Sequence, residues 1–193
     1  IGPVINTDRP DEQFEFKRLP GQKLIYIAVG TLYQANLTFF KHCLEAFHDE
    51  RYAVILSVGK AVDPADLGPI PGNFTVAQFV PQLAILDEAD LFVTHGGMNS
   101  INESVLALVP MIGVPNTIEQ SVNAFRVEQL HGGLYLEPQK LTAEKLQSAA
   151  EQVLADPQVP PGLERIRQSF LDAGGVPKAV AAIQSFKQTH GIT

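Results

Sequence analysis

The chain is predicted to be an α/β protein, a parallel sheet with helices on both faces, from three observations. Short β-branched apolar runs recur along it, from Leu24-Ile25-Tyr26-Ile27 to Met111-Ile112-Gly113-Val114. The segments between them carry apolar residues three and four apart, the helical spacing. The runs are nearly continuously apolar, as strands buried on both faces are, and strands alternating with helices mean repeated βαβ units.

The first strand runs from Lys23 to Val29 and stops at Gly30-Thr31. Leu37, Phe40, Leu44 and Phe47 then fall on one helix face, with Asn36 as N-cap. A second strand, Ala53 to Val58, ends at Gly59, and a Pro/Gly-rich loop from Asp63 to Asn73 leads to a short strand at Phe74-Thr75-Val76. Leu83 to Leu86 makes a short helix. Leu91-Phe92-Val93 is the next core strand, followed by Thr94-His95-Gly96-Gly97 and a helix over Ser100 to Leu108. Met111 to Val114 is a strand. A helix from Gln120 to Leu130 follows, which His131-Gly132-Gly133 ends as a glycine cap, before a strand at Leu134-Tyr135-Leu136. Thr142 caps a helix with Leu146, Ala149, Ala150, Val153 and Leu154 on one face. Two further helices, Leu163 to Asp172 and Pro177 to Gln188, are separated by Gly174-Gly175.

With 193 residues, 45% hydrophobic and 18% charged, one well-packed domain is expected. A formal charge of −7 without a basic run works against nucleic-acid binding, which rests on Lys and Arg meeting phosphates. A small anion remains admissible, because backbone N–H groups at a helix start hold phosphate without net positive charge. Cys43 is the only cysteine, which excludes an internal disulfide and a zinc site of several thiolates and reads as a small hydrophobe on a helix flank. No apolar stretch approaches the roughly 18 residues of a membrane span, so a soluble, cytoplasmic protein is expected. Ile1-Gly2-Pro3-Val4 and the polar residues Asn6 to Glu12 read as an extended piece and a linker, as if cut from a longer chain.

In an open parallel sheet, ligands bind outside the carboxyl ends of the strands. Three predicted strand ends are therefore expected to converge on one crevice: Gly30-Thr31, His95 to Ser100, and Pro115 to Gln120. Gly96 and Gly97 permit a sharp turn and close approach, and Asn99 and Ser100 stand where an N-cap belongs, which together make a cradle for phosphate. His95 is either a donor to the same anion or a packed histidine. Glu103, one turn further along that helix, either accepts from a diol such as ribose or compensates the helix dipole. Glu119 and Gln120 suit sugar hydroxyls, and helix capping explains them equally.

Phe79-Val80-Pro81-Gln82, His95-Gly96-Gly97-Met98-Asn99-Ser100 with Glu103, then Glu119-Gln120 and Asn123-Ala124 resemble the donor-binding signature of family 1 nucleotide-sugar-dependent glycosyltransferases. The resemblance covers nearly the whole chain. It implies the C-terminal half of a GT-B enzyme built of two facing Rossmann-like domains, with residues 1–22 as interdomain linker and residues 176–193 as a helix crossing to an N-terminal domain. It implies that Phe79 stacks on the base, Val80 pairs with it through backbone groups, and Gln82 and Glu103 hold the ribose. Gly30, Thr31, His95, Gly97, Asn99 and Ser100 would hold the diphosphate, with Gly96 and Met98 in the same loop, and His95 would stabilise it as it leaves. Glu119 and Gln120 would grip the transferred sugar. The donor is expected to be a UDP-sugar, UDP-glucose first, or a TDP-sugar, and the acceptor a small lipophilic molecule. The implied chemistry is inverting displacement with neither metal nor cofactor, its general base lying in the N-terminal domain, so the isolated chain is expected to be inactive.

Phe79 stands where many members have tryptophan, and offers less stacking area and no N–H. Met98 replaces a tryptophan of plant members, and Glu119 the commoner aspartate. The other readings are a non-catalytic nucleotide-sugar-binding module that needs a partner chain, and a sugar-nucleotide epimerase, which would need acid/base groups of its own in the cleft. Lys60 reads as a solvated lysine near the same end of the sheet. The final helix, with Val180, Ile183 and Phe186 in line, is expected to leave an apolar stripe exposed.

Overall fold

Six strands, β1 (Lys23–Ala28), β2 (Tyr52–Ser57), β3 (Phe74–Ala77), β4 (Leu91–Thr94), β5 (Met111–Gly113) and β6 (Gly133–Tyr135), form one sheet in the order β3-β2-β1-β4-β5-β6. Every neighbouring pair is parallel. This is a computed structural model, and it describes residues 2–3, 14–30 and 37–191. From β1 the chain builds outward to β3, then returns to the centre and builds the other way from β4. The reversal between β1 and β4 is a topological switch point, where a crevice opens between the carboxyl ends of adjacent strands.

The strands' period of two feeds two apolar layers. Ile25, Ile27, Val54, Leu56, Val93 and Ile112 pack with helices α1 (Leu37–Ala46) and α5 (Ala143–Ala155) on one face. Leu24, Tyr26, Ala28, Ile55, Phe92 and Met111 pack with α2 (Gln82–Leu86), α3 (Met98–Leu106) and α6 (Val159–Asp172) on the other. Helix α4 (Ile118–Gln129) lies against β5 and β6, and α7 (Gly175–His190) ends the described chain. Cys43 is fully buried in the first layer, and burial pushes its thiol pKa up. Tyr26 and Phe92 stack with centroids 4.8 Å apart, worth about 0.5–1.5 kcal/mol beyond their burial. Among the described residues no helix is long and apolar enough to cross a membrane.

Several boundaries correct the sequence reading. Helix α3 starts at Met98 with Gly97 as its cap, so Asn99 and Ser100 lie inside the first turn instead of at the N-cap. The cause is Gly96, whose φ of +79° turns the chain at once beyond β4. Helix α4 starts at Ile118, two residues before the predicted Gln120, because Thr117 accepts the Gln120 N–H on its Oγ1. Its C-terminal left-handed residue is His131, not a glycine; His131 N–H donates to Glu128 O and Gly132 N–H to Val127 O, a Schellman closure. Gly133 serves the sheet instead, since a Cβ there would stand 1.9 Å from Met111 O. Helix α6 begins at Val159 and takes two prolines into its first turn, where a missing N–H costs nothing. A 3-10 turn at Pro64–Leu67, capped by Asp63, lies within the predicted loop.

The proposed cap Asn36, Ile1 and residues 4–13 of the predicted linker lie outside the described residues. Residues 14–22 lie on the body: Phe14 and Phe16 pack against the second layer and Arg18 donates to Asp90 at 2.7 Å.

Candidate functional site

The carboxyl ends of β1 and β4 and the starts of α3 and α4 enclose a cleft of about 580 Å³. A smaller pocket of about 130 Å³ adjoins it and shares Gly30, Gln82 and Ser100. The three predicted strand ends do converge: Gly30, His95, Gly97 to Ser100, Asn116, Thr117 and Gln120 line the main cleft. Thr31 lies outside the described residues.

The two helix starts facing this cleft differ in how they are capped. At α4, Thr117 and Gln120 cap the helix with their own side chains, Gln120 Oε1 accepting from Asn116 N–H at 2.8 Å. At α3 the cap is a glycine without a side chain, so no side-chain cap takes up the first N–H groups. A serine or asparagine cap would have consumed a donor that the Gly97 cap leaves to other acceptors.

His95 sits beneath this start. A Cβ on Gly30 would lie 2.8 Å from His95 Cε1, and one on Gly97 2.4 Å from its Nε2, so both glycines make room for the imidazole. Its Nδ1 is buried with no hydrogen-bond partner among the described residues. Burial lowers the His95 pKa from its ordinary 6.5, with the Glu119 charge opposing. Burial thus favours the neutral form of the ring.

In the smaller pocket Phe79 is 48% exposed, with the Lys60 ammonium 5.6 Å over its ring, and Val80 lines the same wall. Lys60 is exposed, as expected of a solvated lysine, and its ring contact was not foreseen. Gln82 joins both pockets and donates its Nε2 to Glu103 Oε2. The Tyr26 hydroxyl donates to Gln82 Oε1 at 3.1 Å. Tyr26 and Ser57 line this pocket without having been singled out from the sequence. Tyr26 lies hidden in an apolar strand, and the available signal was that a buried tyrosine hydroxyl needs a partner.

Three predicted residues stand apart from the lining of both pockets: Gly96, Glu119 and Glu103, the last joined to it through Gln82. Gly96 is buried against α4, where a Cβ would meet Gln120 O at 3.0 Å. Glu119 is exposed on α4 and accepts from Asn123 Nδ2 at 2.6 Å.

A doubly wound parallel sheet with a glycine-lined, uncapped helix start at its switch point defines a nucleotide-binding α/β domain. Residues 44–184 match the family described as erythromycin biosynthesis protein CIII-like, C-terminal domain. The chain is 37% identical over 192 residues to NDP-glycosyltransferase YjiC of Bacillus subtilis (strain 168), covering 100% of this chain and 49% of that protein. It is 33% identical to oleandomycin glycosyltransferase of Streptomyces antibioticus, covering 92% and 42%. Among solved structures it resembles the glycotransferase of kitacinnamycin, with TM-score 0.86, 33% identity and 96% and 48% of the two chains covered. It also resembles CalG4, the calicheamicin glycosyltransferase, with TM-score 0.82, 29% identity and 91% and 44% covered. The chain belongs to this family, the C-terminal domains of family 1 glycosyltransferases with the GT-B fold. It spans about half the length of the curated relatives it matches.

Proposed function

We propose that this chain is the donor-binding half of an inverting glycosyltransferase that moves a hexose from a nucleotide-sugar, UDP-glucose first, to a hydroxyl of a small lipophilic acceptor. The uncapped start of α3 above His95, facing the switch-point cleft, carries this reading. A diphosphate there receives the N–H groups of the first turn, Met98 to Ser100, at the positive end of the helix, with His95 and Gly30 around it. The nucleoside extends into the smaller pocket, where Phe79 stacks on the base, Val80 pairs with it and Gln82 with Glu103 holds the ribose. Glu119 and Gln120 meet the hexose. The names of the relatives support a nucleotide-sugar donor and an acceptor of natural-product type.

In the reaction, an acceptor oxygen forms a bond to the anomeric carbon on the face opposite the diphosphate, whose C–O bond breaks. The electron pair goes to the diphosphate, where preorganised N–H donors stabilise the developing charge. The acceptor proton goes to a base in the other half of a longer chain, as the half-length match to the relatives supports.

Calorimetry with UDP, UDP-glucose and TDP-glucose is the test. UDP and UDP-glucose are expected to bind, and His95→Ala and Glu103→Ala each to weaken binding about tenfold, one charge-assisted hydrogen bond's worth. Absence of binding to all three ligands overturns the reading, and unchanged affinity in both variants overturns the placement. The chain alone is expected to transfer no sugar from UDP-glucose to hydroxylated acceptors.

A further inference from the structure

At the upper edge of the second apolar layer, Gln82 and Glu103, the two residues proposed to hold the ribose, join Tyr26 in a part-buried polar relay. The Tyr26 ring is 1% exposed and clamped on Phe92, yet its hydroxyl reaches Gln82, which in turn reaches Glu103. Only one assignment of protons satisfies all three groups. A carboxylate has no proton to give, so Gln82 must turn its NH₂ toward Glu103. That leaves the amide oxygen toward Tyr26, and an amide oxygen only accepts, so the phenol must donate. Flipping the amide would set its oxygen against the Glu103 carboxylate, two acceptors with no proton between them.

From this geometry we infer that Tyr26 is a positioning residue: its hydroxyl locks the Gln82 amide in the one orientation that holds Glu103 ready to accept from the ribose diol. The inference rests on the proposed ribose role of Gln82 and Glu103. Burial first, and the Glu103 charge second, raise the Tyr26 pKa above its ordinary 10.0, so the phenol keeps the proton it donates. Tyr26 comes from β1, Gln82 from the start of α2 and Glu103 from α3. The relay thus ties the ribose-reading carboxylate to a central strand of the sheet, and a rigid element holds a recognition group more sharply than a loop does.

The experiment compares UDP with 2′-deoxy-UDP by calorimetry on this chain. The wild type is expected to prefer UDP about tenfold or more, and Glu103→Gln to lose most of that preference. Tyr26→Phe keeps the ring and its stacking, and is expected to bind UDP about three- to tenfold more weakly while 2′-deoxy-UDP changes less than about twofold, the loss of one hydrogen bond that acts only on the diol. A merely structural role would weaken both nucleotides alike. In a Gln82→Met background, Tyr26→Phe is expected to add nothing further, because its effect passes through the amide.

If the wild type does not distinguish the two nucleotides, the ribose reading falls and takes the inference with it. If it does, and Glu103→Gln abolishes the preference while Tyr26→Phe keeps it, the ribose reading stands and the role of Tyr26 is overturned. Should Tyr26→Phe not fold, the Gln82 side-chain amide carries the test by NMR in the wild type. An Nε2 proton that exchanges with solvent about tenfold or more slowly than those of the exposed glutamines supports the lock, and exchange at their rate overturns it.

Discussion

At the scale of single residues, His95 connects the geometry of the cleft to pH. Its folded pKa lies below its ordinary value through burial, so between the two the unfolded chain carries a proton that the folded one refuses. Stability attributable to His95 therefore falls as pH drops through about 6.5 toward the folded pKa, and is level below it. A diphosphate bound beside His95, as proposed, would reverse this, since a neighbouring anion favours the imidazolium. UDP-glucose keeps a constant charge between pH 8 and 6, so a rise in its affinity of up to about tenfold over that range, with proton uptake seen by calorimetry in buffers of different ionisation enthalpy, is the expected outcome. His95→Gln should flatten the profile, and a profile unchanged in that variant would mean that His95 does not face the anion. Gly97→Ala tests the same packing: its Cβ would overlap His95 Nε2, so the ring must move. Donor affinity is expected to fall about tenfold or more with the far-ultraviolet circular dichroism preserved, because an alanine cap alone costs only about 0.5–2 kcal/mol.

At the scale of elements, much of the fold was legible because hydrophobic runs and helical spacing are local signals. Every strand in the sheet coincides with an apolar run, and Thr142 caps α5 as its position suggested. The start of α3 was not legible for a physical reason. Asn99 and Ser100 are better caps than glycine in isolation, but the turn at Gly96 and the need to seat His95 against Gly97 outweigh that preference. Strand order was also hidden, since it follows from pairings between residues far apart in sequence. The cleft could be assembled from three strand ends without that order, but its location at the switch point could not.

Gln120 shows how one residue can hold two roles that sequence alone leaves merged. Its side-chain oxygen closes the cap of α4 while its side chain lines the cleft. Gln120→Glu keeps the capping oxygen and removes the amide donors, so it is expected to leave the urea midpoint within about 0.5 kcal/mol of wild type while reducing the affinity gap between UDP-glucose and UDP. Thr117→Ala is expected to cost about 1 kcal/mol of stability through the lost cap, with that gap unchanged. A loss of stability in Gln120→Glu as large as in Thr117→Ala would show that the amide donors, not the oxygen, hold the helix start.

At the scale of the whole molecule, α7 is out of keeping with the rest of the chain. None of its residues is buried, and Val180, Ile183 and Phe186 are 46%, 61% and 57% exposed along one face. Scattered surface hydrophobes are ordinary, whereas these three stand in line on one helix, and we propose that this face meets another surface. A helix that buries nothing adds little to the stability of the body it leaves. In a longer chain of the relatives' length, the other half is the surface at hand. Ile183→Glu with Phe186→Glu is therefore expected to change the unfolding free energy of this chain by less than about 0.5 kcal/mol, as exposed substitutions do. In a two-half transferase the same pair should cost several kcal/mol, since burying each such side chain is worth about 1.5–3 kcal/mol and a buried glutamate adds its own desolvation. Urea titrations of the two proteins decide the matter: an equally small effect in both would mean that α7 stays in water in the assembled enzyme, and a large effect in the short chain would mean that the helix is already packed on its own body.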